Sequence, residues 1–78
     1  MFKITDNKGF HLQFANGNTI SVQFGHGNYC DNRNDEEKKQ CANTEVWAWD
    51  KDGKPLFDEP LGWQTPEQVA ELMAKYSK

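Results

Sequence analysis

Two cysteines, Cys30 and Cys41, and two histidines, His11 and His26, are the side chains of this chain best suited to chemistry. A zinc site would need all four to converge, and the tight Cys-x-x-Cys pairs that make a zinc signal specific are missing. A Cys30–Cys41 disulfide would close the polar stretch between them and add roughly 3 kcal/mol. Two reduced thiols are the third reading, and all three stay open at this level. Nucleophilic catalysis by Cys30 would need a histidine within hydrogen-bond reach and a further group to orient it. The sequence offers no such third group, so no catalytic residue is assigned, no cofactor is expected and the chain is not read as an enzyme.

The acidic residues give weak signals. Asp50-Lys51-Asp52-Gly53 has the opening of a calcium loop, but the third acidic position and the distal glutamate are absent. A hairpin turn accounts for it better. Gly25-His26-Gly27 follows a strand, yet no helix begins after it to cradle a phosphate. What remains are contact residues: the acidic loop with Asp35, Glu36 and Glu37, the rim positions Asp50 and Asp52, and two tryptophans, Trp47 and Trp49. Asp58 and Glu59 extend the acidic run. Aromatic residues on an open surface would mark a binding site.

These groups must be placed by a small scaffold. Seventy-eight residues make a single domain, 1–78. A chain this short buries only roughly 60% of its surface, so a homodimer would add useful cover. The pattern predicts an α+β fold, with a four- to five-stranded antiparallel sheet built from hairpins and one C-terminal helix packed on one face. Phe2–Thr5 reads as a strand and Asp6–Gly9 as a turn. Phe10, Leu12 and Phe14 alternate with polar residues, as do Ile20, Val22 and Phe24, about an Asn16-Gly17-Asn18 turn. Asp31–Gln40 has no apolar residue and reads as a solvated loop, with a turn of helix over Asp35–Gln40 as the alternative. Thr44–Asp50 is the next strand, and Pro55-Leu56-Phe57 a short edge strand. Asp58–Gln64 reads as a loop.

The final helix has the clearest signature. Thr65 is an N-cap, Pro66 suits the first turn, and Gln68 completes a capping box. Val69, Leu72, Met73 and Tyr76 share one face, which suits a core better than a partner groove. One question then decides the surface. Either Val46 and Ala48 face the helix and leave Trp47 and Trp49 on the open side with His11 and Gln13, or the indoles turn inward. The cost of exposing an indole favours the inward placement.

Net charge is −3, which does not favour nucleic acid. No apolar run approaches the ~20 residues that span a bilayer, and the opening residues lack a signal-peptide core. A cytoplasmic protein is expected, where thiols are usually reduced.

The stretch Gly9–Asn32, with Phe10-His11, Phe14-Ala15-Asn16-Gly17, Thr19, Ser21–Gly25 and Gly27–Cys30, resembles the opening of short phage- and prophage-encoded proteins. That resemblance covers about a third of the chain closely and implies no enzymatic activity. It implies a small protein that binds and blocks a host protein or ribonucleoprotein, anti-CRISPR and other anti-defence inhibitors being one such class. Two alternatives come from the residues themselves: a single-strand nucleic-acid module that stacks bases on sheet aromatics, and a metal- or redox-responsive protein using Cys30 and Cys41.

Overall fold

A computed structural model describes residues 1–6, 8–35 and 40–78. The elements run β1 (Phe2–Thr5), β2 (Gly9–Gln13), β3 (Thr19–Gln23), β4 (Thr44–Trp49), β5 (Leu61–Gln64) and α1 (Pro66–Tyr76). The strands form one antiparallel sheet in chain order, so each strand lies beside the one before it. The α+β reading therefore holds. Two local expectations do not. Leu61–Gln64 is a strand rather than loop, and Pro55-Leu56-Phe57 makes only an isolated bridge, Trp49 to Pro55. The reason is positional: β5 takes the place beside β4 that the proline-bearing segment would have needed.

Register fixes the two faces. Phe2, Leu12, Ile20 and Ala48 stand in one row across the sheet, and Ile4, Phe10, Val22 and Val46 in the next. Ile20, Val46 and Ala48 are fully buried, and Val69, Leu72 and Met73 of α1 pack on them with Leu12, Phe14, Leu56 and Phe57. The helix is where the sequence puts it. The Thr65 hydroxyl accepts from the Gln68 amide at 3.2 Å, and the Gln68 side chain accepts from the Thr65 amide at 2.8 Å. At its other end, Asn16 and Asn18 of the β2–β3 turn donate to the Tyr76 carbonyl at 2.9 and 3.0 Å. The hairpin turn thus occupies acceptors that a helix C-terminus leaves open.

The inward placement of the indoles is overturned. Val46 and Ala48 lie under the helix, so Trp47 and Trp49 stand on the opposite face with His11 and Ser21. Side chains alternate along β4, so once Val46 and Ala48 pack beside Ile20 against α1 the two indoles fall on the other face. The indoles find partial cover instead. Trp49 meets His11 edge to face at 5.0 Å, and the Trp47 Nε1 donates to the Phe57 carbonyl at 3.0 Å. Thr19 and Ser21 are buried in the same face.

Candidate functional site

The loop after β3 is built around a buried side chain. Asn32 Oδ1 accepts from the Gly25 amide at 3.0 Å and from the Cys30 thiol at 3.1 Å. Asn28 donates to the Phe24 carbonyl at 2.7 Å. Asn43 accepts from the Asp31 amide at 2.8 Å and ties the loop to the approach of β4. Asn28, Cys30 and Asn32 of the GHGNYCDN stretch are thus loop-closing groups. A glycine-rich turn cannot hold itself by apolar packing, so these hydrogen bonds fix its shape.

That loop presents Tyr29. The Tyr29 amide donates to Glu45 Oε2 at 2.7 Å, and its carbonyl accepts from the Trp63 amide at 2.8 Å. Trp63 sits on β5 at φ 51, in the left-handed region, where the β4–β5 register shifts between Thr44 and Val46. Its ring stacks on Tyr29 at 5.6 Å with planes 25° apart. Arg33 lies over the Tyr29 ring at 5.1 Å. The result is a ladder of Arg33, Tyr29 and Trp63, with Tyr29 48% and Trp63 50% exposed. Gly62 makes it fit, because a Cβ there would lie 2.7 Å from the Tyr29 Cβ. A non-glycine residue in this region costs about 1–2 kcal/mol. Here that cost falls on a large aromatic held half in solvent.

The residues singled out by sequence are elsewhere, and mostly engaged. Trp47 and Trp49 are half-buried on the open face, as above. Asp50 caps its own turn, its Oδ1 accepting from Asp52 at 2.9 Å and Lys54 at 3.0 Å. This is the hairpin reading of the calcium-like run. Asp52 and Asp35 are exposed, and the Asp35 amide closes a turn on the Asn32 carbonyl at 3.0 Å. Glu36 and Glu37, with most of the alternative helical turn, lie outside the described residues. None of Tyr29, Arg33 and Trp63 lies in an alternating run, so periodicity does not point to them. The available signal was an aromatic residue inside a turn-rich stretch, where no core demands it.

Cys30 and Cys41 are free thiols. Cys30 is fully buried, and burial pushes its thiol up, with the neighbouring Cys41 thiol among the lesser causes. Cys41 lines an open, apolar cleft of about 300 Å³ under the first half of α1, with Val22, Phe24, Val69 and Met73. Among the described residues, no three His, Cys, Asp or Glu side chains come together as a metal site. His11 is held below the usual histidine range, first by burial and then by Lys3. Nor, among the described residues, is any helix long and apolar enough to cross a membrane. No family model, curated protein or solved structure matches the chain.

Proposed function

We propose that this chain is a protein-binding module that works by covering a surface of its partner, with the Arg33–Tyr29–Trp63 ladder as its anchor. The observation that carries the reading is the strained, half-exposed Trp63 stacked on Tyr29. Trp, Tyr and Arg are the residue types that dominate binding hot spots. Two χ angles per ring make such a surface rigid at low entropic cost. The resemblance to phage-encoded proteins supplies the partner class, a host defence protein or ribonucleoprotein, with CRISPR effectors among them. Trp47, Trp49, Asp35 and Asp52 would then form the periphery of contact.

The test is calorimetric titration against purified defence effectors from one host, CRISPR complexes included. Trp63→Gly removes the ring and relieves the strained φ together. Its fold should survive, while affinity for a bound effector falls by about 2 kcal/mol or more. Binding by Trp63→Gly and Tyr29→Ala equal to that of the parent would sink the ladder as anchor. A ladder of rings can also stack bases, but a net charge of −3 gives a nucleic-acid backbone little to hold. Oligonucleotide binding that weakens steeply with salt would favour that second reading.

A further inference from the structure

The opposite edge of the sheet carries a second surface. Among the described residues, β1 has a strand neighbour on one side only. Met1 and Gln13 exchange both backbone bonds, each at 2.8 Å. Antiparallel pairing alternates, so Lys3 and Thr5 also bond across to His11 and Gly9. The N–H and C=O groups of Phe2 and Ile4 therefore point away from β2, along the free edge. Their side chains stand on the helix-covered face, yet they are 69% and 75% exposed. Phe2 is backed by Phe10, edge to face at 5.9 Å. Lys3 points to the other face, beside His11.

We propose that β1 is a strand-addition site for an extended segment of a partner with the alternation apolar–acidic–apolar. Directly opposed residues share a face. The two apolar side chains would meet Phe2 and Ile4, and the acidic one would meet Lys3. Main-chain bonds to Phe2 and Ile4 supply the affinity, and the alternation supplies the specificity. A second copy of this chain is the occupant that Lys3 opposes. The self-pairing that satisfies both Phe2 and Ile4 sets Phe2 against Ile4 of the copy and puts Lys3 on the two-fold axis facing its own equivalent. Like charges directly opposed are destabilising, and an edge lysine is a known guard against such pairing. The surface stands apart from the aromatic ladder, at the far edge of the sheet, and needs neither Tyr29 nor Trp63.

The experiment uses synthetic extended peptides with a Val-Glu-Val core or a Val-Lys-Val core, titrated into isotope-labelled protein. Amide shifts should concentrate at Phe2 and Ile4, and the acidic peptide should bind about threefold tighter. Lys3→Glu should reverse that order without disturbing the sheet. Ile4→Pro should abolish binding of both peptides, because it removes an outward N–H that β2 does not use. Shifts away from β1, equal binding of the two peptides, or an order unchanged by Lys3→Glu would overturn the proposal. So would sedimentation showing a dimer that Ile4→Pro dissolves, since the occupant would then be a second copy.

Discussion

The two edges of this sheet solve the same problem in opposite ways. An edge strand offers unpaired backbone groups to any passing chain. At β5 the chain is bent out of regular pairing. Trp63 takes a positive φ, the register shifts, and the Trp63 amide is satisfied by the Tyr29 carbonyl. At β1 the pairing is regular through all four residues, and two apolar side chains stand in solvent. The first edge cannot take another strand easily but displays aromatic rings. The second displays few rings but keeps its backbone available. The two edges of this small sheet thus differ in what they expose, aromatic side chains at one and main-chain groups at the other.

Each edge also depends on a glycine, and the two should not be equally costly to lose. A Cβ on Gly9 would run into the Val22 carbonyl oxygen and lie 2.9 Å from the Gln23 Cα. Those are backbone atoms of the central strand, which cannot give way without moving the core over Ile20. Gly9→Ala should therefore be the more damaging of the two, costing about 3 kcal/mol or more, at the upper end for overpacking. Chemical denaturation with an unchanged m-value would read it. A loss under about 1 kcal/mol would mean that β2 can shift on β3, and that the β1 edge is not rigidly held.

Gly62→Ala comes next, at about 1–2 kcal/mol. Its added methyl meets the Tyr29 Cβ at 2.7 Å and the Tyr29 carbonyl oxygen at 3.3 Å, both on a loop rather than on the central strand. The loop can move back, at the expense of the ring stack. Near-ultraviolet circular dichroism should show the altered Tyr29–Trp63 environment at a temperature where the far-ultraviolet signal is unchanged. If both signals stay as in the parent, the ladder tolerates the methyl and its close packing is not what shapes it.

Much of this fold is legible in the sequence because its signals are local and periodic. The alternation of Phe10 to Phe14 and Ile20 to Phe24, the Asn-Gly turn and the Thr65 capping box each name their own structure. The surface is less legible. Whether Val46 or Trp47 faces the helix depends on which side of β3 the helix lands, and a strand that alternates Val-Trp-Ala-Trp is apolar on both faces. β5 is hidden for a related reason. Leu61-Gly62-Trp63-Gln64 is short, holds a glycine, and pairs only through a register shift. Tyr29 and Trp63 are brought together by long-range pairing of a glycine-rich loop with that irregular strand, which no periodicity announces.

The smallest effect separates the edges by charge. On the β1 side His11 lies between Lys3 and Trp49, and both its burial and Lys3 disfavour the imidazolium. The folded protein therefore takes up this proton at lower pH than the unfolded chain, whose histidine titrates near 6.5. The sign follows from linkage. Between those two values the unfolded state binds more protons, so stability is full above pH 6.5 and is lost as pH falls toward the folded value. His11→Gln keeps a polar side chain and removes the titration. Thermal melts at about pH 7.5 and about pH 5.5 should show a larger drop for the parent than for His11→Gln. Hydrogen exchange, corrected for intrinsic rates, should place the acid loosening at the Lys3 and Thr5 amides, which bond across to β2, and leave the Trp63 amide protected. Equal drops in parent and variant would mean that His11 is as well solvated folded as unfolded. Acid would then no longer distinguish the regular edge from the bent one.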